Sequence, residues 1–331
     1  MALTKKRVVL VTIFLTVVYF AILFFLPEEL IGGRGDNVLR FTPRILFISA
    51  AMSILTAFVL IFIFKRDFIA WQKIAFNRYK HYLWLLIKRD FATRYRKSIL
   101  GVLWSVLNPV LNMLVLAFVF QYVFRWYMPG VSMAVYILTG QFIFNFFSES
   151  TTLSMTSVIT SEGVIRKVYV PKWVFPLSKV CSSLVNMGFS LIAVLVVVAV
   201  TGSPFHWTMF LIPIPMIFIF VFALGFAMLM SSLTVFFRDL THLYTVGLTM
   251  WMFLTPIIYP ISIIEEQHES ILAIYGLNPM LHFVNYMRLL TIDGVFPGLW
   301  NTLVCASTAL IALSVGTYVF MRQQDKFLLN L

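Results

Sequence analysis

Charge is scarce in this sequence: 11% of its 331 residues are Asp, Glu, Lys or Arg, against roughly 25% in a soluble domain. That shortage excludes the polar surface that one or two water-soluble domains of this length would need. Cysteine is nearly absent. Cys181 and Cys305 both stand in apolar stretches, which leaves them as small hydrophobes and excludes a disulfide framework. Motifs for chemistry are missing as well. No G-x-x-x-x-G-K-[ST], H-E-x-x-H or C-x-x-C occurs, so ATP phosphates are not cradled by a P-loop of this chain. The five histidines fall in separate loops and apolar runs, without a metal spacing. No catalytic residue, metal or bound cofactor is therefore assigned to the chain itself.

What is present is apolar: 61% of residues are hydrophobic and 17% aromatic, with a mean hydropathy of +0.94. A hydrocarbon layer ~30 Å thick needs about 20 apolar residues in helix. Runs of that kind occur at 8–26, 45–64, 99–124, 133–157, 180–202, 208–236, 243–263 and 300–321. The fold class is thus all-α, a polytopic membrane protein of about eight transmembrane helices. Pro109, Pro213 and Pro215 fall within these runs and predict kinks, since neighbouring helices can satisfy the freed carbonyls. Lys5-Lys6-Arg7 before the run Val8–Leu26 resembles a signal peptide. The run is longer than an ordinary signal core and no small-residue cleavage site follows, so an uncleaved first span is expected.

The formal net charge is +12, which could suggest nucleic acid, but its placement suits a membrane surface. With the N-terminus inside, the inner segments hold 20 Lys and Arg and the outer ones 5, so both termini are expected in the cytoplasm. Glu265, Glu266, Glu269 and Asp293 then lie outside. Residues 71–97 are too charged to cross, yet Trp71, Ile74, Ala75, Tyr79, Tyr82, Leu83, Leu86 and Ile87 recur at helical spacing. Lys73, Arg78, Lys80, Lys88 and Arg89 stand between them. This pattern predicts a basic amphipathic helix in the cytoplasmic interface. Residues 264–299, with Pro279, Gly294 and Pro297, suit short external or re-entrant helices. The chain divides into an extension with two spans (1–70), the interface helix (71–97) and a six-helix core (98–331).

The segment Lys88–Pro109, KRDFATRYRKSILGVLWSVLNP, carries more order than a basic membrane anchor requires. Three more segments follow in sequence: Val164–Val180 (VIRKVYVPKWVFPLSKV), Phe237–Pro260 with R-D-L and then T-P-I-I-Y-P, and Asn278–Gly294 (NPMLHFVNYMRLLTIDG). Together, over roughly residues 75–331, they resemble the permease subunits of type-2 ABC exporters, in the branch that exports O-antigen, capsular polysaccharide or teichoic acid. The usual permease has six spans, so residues 1–70 are a departure. The resemblance implies a homodimer in the cytoplasmic (inner) membrane of a bacterium, working with two copies of an ATPase subunit that holds ATP and Mg. Its cargo would be a lipid-linked glycan, and nucleic acid would have no part.

The resemblance also implies roles. The loop that docks on the ATPase corresponds to Ser157–Lys179, with Arg166, Lys167 and Lys172 as charged handles, Val168, Tyr169 and Trp173 as pocket fillers, and Pro171 and Pro176 fixing the bend. Arg238 and Asp239 are further candidates for that surface, and Arg89, Asp90, Arg94, Tyr95 and Arg96 for the interface helix. Aromatic rings suit the C–H faces of sugars, which singles out Tyr122, Trp126, Phe142, Phe146, Trp251 and Tyr259 as channel candidates. Glu149 is the acidic residue well inside an expected span, where a carboxylate has a partner or a task. Two other readings compete. A membrane-embedded transferase on lipid-linked sugars would have to draw on Glu265, Glu266, His268, Glu269 and Asp293, and an ion-driven carrier would need several intramembrane charges. Within the exporter class, efflux of a smaller lipid or drug uses the same core.

Overall fold

A computed structural model describes residues 66–95, 98–123, 131–168, 170–260, 275 and 278–330. The expected spans at 8–26 and 45–64, the side chain of Tyr95, and Arg96, Trp126, Tyr169, Glu265, Glu266, His268 and Glu269 lie outside the described residues. Within them the chain is helical and contains no strand. The long elements are α1 (Arg66–Tyr95), α2 (Trp104–Phe118), α3 (Met133–Met155), α4 (Val174–Val200), α5 (Pro213–Phe236), α6 (Leu240–Leu254), α7 (Pro279–Arg288) and α8 (Leu299–Gln323). Two single turns, Ser157–Thr160 and Glu162–Ile165, lie between α3 and α4.

Among the described residues four stretches are long and apolar enough to cross a bilayer: Gly101–Phe118, Val174–Val200, Trp207–Phe236 and Leu299–Lys326. They contain α2, α4, α5 and α8. Helix α3 has 23 residues but carries Gln141, Asn145, Glu149 and a run of Ser and Thr in its second half. Its hydroxyls are satisfied within the helix: Thr139, Thr151 and Ser154 donate to carbonyls four residues back at 2.8, 2.7 and 2.6 Å. That internal bonding lets a polar helix sit among apolar ones. Helix α6, with 15 residues, is shorter than the ~20 a full crossing needs.

Helix α3 is the hub. It packs on α2, α4, α5, α6 and α7, and Ile137, Ile143 and Phe147 along it are fully enclosed. The most extensive helix pair is α5 with α8, and glycine permits it. A Cβ at Gly225 would stand 2.2 Å from the Ala312 carbonyl carbon, and one at Gly316 would overlap the Gly225 carbonyl oxygen. Small residues at such a crossing let two backbones touch, which replaces the hydrophobic drive that lipid removes. Ser232 adds a hydrogen bond to Gln323 at 2.7 Å.

Pro213 and Pro215 were expected to kink a span, but they open one instead. Pro213 is the first residue of α5, after a 3-10 turn over Trp207–Leu211. The first N–H groups of a helix have no intrahelical acceptor, so proline loses nothing there. Pro109 does sit inside α2.

Helix α6 stops at Thr255-Pro256, where Ile257–Pro260 leave helical geometry. Arg288, at the end of α7, secures the break. Its guanidinium donates to the carbonyls of Pro256 at 2.8 Å, Ile257 at 3.1 Å and Tyr136 at 3.4 Å, and lies 3.5 Å from the Tyr136 ring centroid. Counted on the sequence as an external loop charge, Arg288 is 6% exposed. Beside it, Asn278 caps α7 by accepting the Met280 N–H at 3.0 Å, accepts Trp251 Nε1 at 2.8 Å and donates to Thr255 Oγ1 at 2.9 Å. The T-P-I-I-Y-P and N-P…R segments, separate in sequence, are two halves of one joint.

Candidate functional site

Helix α1 is a membrane-domain component as much as a lipid-facing one. Tyr79, Tyr82, Leu83, Leu86 and Ile87 form one stripe at helical spacing, and Leu83 and Leu86 are buried in a cluster with Val158, Ile165, Trp173, Val174 and Phe320. Phe91 stacks on Phe189 of α4 at 5.9 Å. Asp90 pairs with Lys179 of α4 at 2.8 Å and with Arg89 at 3.2 Å. The opposite side shows Trp84 and Leu85 exposed beside Lys80, Lys88 and Arg89, the composition of a surface against lipid headgroups.

At the C-terminal end of α1, Arg94 forms an ion pair with Glu149 of α3. Glu149 also accepts from Asn186 Nδ2 at 2.9 Å and Ser183 Oγ at 3.4 Å on α4. The carboxylate in the expected span therefore has partners on two elements. It lines a cleft of about 350 Å³ between α2, α3 and α4. Phe142 and Phe146 face the same cleft with Trp104, Gln141 and Asn145. Asn108 and Asn112 of α2, bonded to each other at 3.1 Å, stand at its exposed rim. Ser190 of α4 donates to the Ser105 carbonyl at 3.3 Å and ties the two walls together. The side-chain oxygen of Gln141 is buried without a hydrogen-bond partner.

The other channel candidates are elsewhere. Trp251 sits in an aromatic cluster with Phe147, Phe222 and Phe226 at 5.2, 6.4 and 5.8 Å. Tyr259 donates to the Phe253 carbonyl at 2.6 Å and lies 3.2 Å from the Tyr275 hydroxyl. Both belong to the joint after α6. Tyr122 falls in a π-helical turn, Val119–Val123, that follows α2.

The loop candidates split into a buried half and a protruding half. Trp173 is enclosed. Lys172 donates to the Gln324 carbonyl at 2.6 Å and sits 5.8 Å from the Phe327 ring; burial lowers its pKa, and the Asp325 carboxylate opposes that shift. These residues pin the loop to the C-terminal turn after α8. Arg166, Lys167 and Val168 protrude, with Arg166 paired to Glu162 at 2.8 Å, and Pro171 is half-buried. Arg238 and Asp239, in the turn between α5 and α6, are exposed beside exposed Phe237. Phe236 contacts Phe327 at 6.0 Å, so this turn and the loop occupy the same end of the bundle.

Sequence reasoning missed the amide and hydroxyl lining of the cleft. The signal was there: Asn108, Asn112, Gln141, Asn145 and Asn186 are uncharged polar residues inside or at the edge of apolar runs.

The sequence pattern of the ABC-2 type transporter family matches residues 81–291. The O-antigen export system permease protein RfbA of Myxococcus xanthus is 29% identical over 250 residues, covering 76% of this chain and 95% of that protein. An RfbA of Klebsiella pneumoniae is 29% identical over 244 residues, with 73% and 92% covered. The polysialic acid transport protein KpsM of Escherichia coli is 25% identical over 252 residues, with 73% and 93% covered.

Proposed function

The chain belongs to the ABC-2 type transporter family, and on that premise we propose that it is the membrane-embedded permease of an ATP-driven polysaccharide exporter. One observation carries the mechanism: a basic helix, α1, is docked on the bundle and reaches through Arg94 to Glu149 at the edge of a polar cleft. The relatives' named cargoes, O-antigen and polysialic acid, favour a polymer over a small drug. Both are glycans, and a lipid-linked glycan is the cargo proposed here. A membrane transferase is not favoured. The relatives are named for export and transport, and Asp293, the described one of the transferase candidates, is an exposed residue beside Gly294.

ATP hydrolysis is assigned to a separate ATPase subunit, present in two copies. The protruding Arg166, Lys167 and Val168, with Phe237, Arg238 and Asp239, form its proposed docking surface: exposed apolar groups among charges, on the end of the bundle that also holds α1. A second copy of the chain is the other partner. Helix α6 buries only Leu248 and leaves Leu243, Val246, Met250, Phe253 and Leu254 exposed, an open face that a second copy would cover. Motion of the docked loop on ATP binding passes to α4 through Trp173 and to α1 through Leu83 and Leu86. From α1 it reaches the cleft through Arg94. Eight spans, both termini in the cytoplasm and an inner-membrane location complete the proposal.

The test is co-expression of this chain with an ATPase from an O-antigen export system, followed by reconstitution. The expected result is co-purification and ATP-dependent movement of a polyprenyl-diphosphate-linked glycan across inverted vesicles. Association without any ATP-dependent transport of glycan would overturn the polysaccharide reading.

A further inference from the structure

We propose that the cleft between α2, α3 and α4 is a subsite for one uncharged sugar ring of the glycan, an inference that rests on the polysaccharide reading. Its chemistry points away from the anionic end of a lipid-linked glycan. Among the described lining residues no Lys or Arg occurs, and the charged one, Glu149, is acidic and already paired with Arg94. A diphosphate would meet a described lining that offers no free cation beside a carboxylate, which is repulsive. A metal ion or amine would have to displace the Arg94 guanidinium.

The remaining lining matches a polyhydroxylated ring. Asn108, Asn112, Asn145 and Gln141 present amides, each with donors and an acceptor. Vicinal hydroxyls need that pairing, because every buried hydroxyl left without a partner costs binding free energy. Gln141, whose side-chain oxygen is buried without a hydrogen-bond partner, adds an unsatisfied amide to the inner wall. Trp104, 44% exposed at the rim, offers an aromatic face to the C–H side of a ring, and the enclosed Phe142 and Phe146 back the apolar inner wall. Size agrees. The cleft, about 350 Å³, is at the small end of the ~300–1,000 Å³ range of small-molecule sites, enough for a sugar ring.

The placement gives the subsite a consequence. Glu149 and Asn186 belong both to the cleft and to the ion-pair network that anchors α1. Filling the cleft therefore bears on the Arg94–Glu149 pair, and a helix on the ATPase side of the bundle would register whether a sugar is present.

The experiment uses the full chain in nanodiscs free of sugar detergents. Saturation-transfer NMR is recorded with maltotriose, mannotriose and galactotriose, and with inorganic pyrophosphate as the anionic competitor. Two variants are compared with the wild type, Asn145→Phe, which fills the mouth from an exposed position, and Gln141→Leu, which removes the unpartnered amide without changing bulk. Expected is transfer to at least one neutral sugar, no competition by pyrophosphate, and affinity lower by about tenfold in either variant, the equivalent of one or two hydrogen bonds. No transfer to any sugar, competition by pyrophosphate, or unchanged affinity in both variants would overturn the subsite. Reconstitution with the ATPase separates this from the wider reading. Variants that assemble and export at wild-type rate sink the subsite alone, whereas a wild-type complex that exports no glycan sinks the exporter.

Discussion

Two arginines show how differently one side chain is used in this protein. Arg94 is about a third exposed and paired with a similarly exposed Glu149, so the pair contributes only about 1 kcal/mol to stability. Arg94→Ala should accordingly leave folding nearly intact while lowering glycan export several-fold, if α1 signals through it. The exchange Arg94→Glu with Glu149→Arg should recover part of the loss, which a transport assay on both single and double variants would reveal. Arg288 is enclosed and faces carbonyls rather than a carboxylate. Removing it strands buried acceptors at ~1–3 kcal/mol each. Arg288→Ala should therefore lower the melting temperature by several degrees in a detergent thermal scan. Arg288→Lys should fail to restore it, because a point charge cannot replace the planar fork.

At the scale of elements, the α5–α8 crossing and the docking of α1 carry separate risks. Gly225→Leu forces the two backbones apart, since a Cβ alone already collides at 2.2 Å. The expected outcome is a chain that elutes as aggregate on size-exclusion chromatography, whereas Gly188→Leu, at a position with open space around it, should elute normally. For α1, Leu83→Ala together with Leu86→Ala removes two buried side chains, at ~2 kcal/mol or more each. The helix should then loosen from the bundle and become cleavable by trypsin at Lys88 and Arg89, with the remaining spans still protected. Equal protection in wild type and variant would show that lipid rather than the bundle holds α1.

At the scale of the whole molecule, sidedness is the open quantity that charge alone assigns. In a background of Cys181→Ser and Cys305→Ala, a cysteine at Val168 should react with an impermeant maleimide only in inverted vesicles. One at Val295, beyond α7 on the opposite end of the bundle, should react only in right-side-out cells. Reaction of both from one side would break the topology and with it the placement of the ATPase surface.

Hydrophobic run length determined the all-helical membrane character of this chain, because burial of apolar helix in lipid depends on composition and length rather than on partners. The ordered motifs determined the family. Neither could say that α3, read as one span among eight, is the hub. That depends on hydroxyls bonding within their own helix and on which neighbours enclose them. Periodicity found the apolar stripe of α1, but only the tertiary structure showed that Val158, Trp173 and Phe320 cover it. Pro213 read as a kink because a sequence does not announce whether a 3-10 turn precedes it. Glu149 stands out as an intramembrane carboxylate, yet its partner Arg94 is 55 residues away and reads on the sequence as an interface-helix residue, with nothing to pair the two. The cleft beside them was decided by three helices meeting, a long-range event that no local pattern of amides and rings encodes.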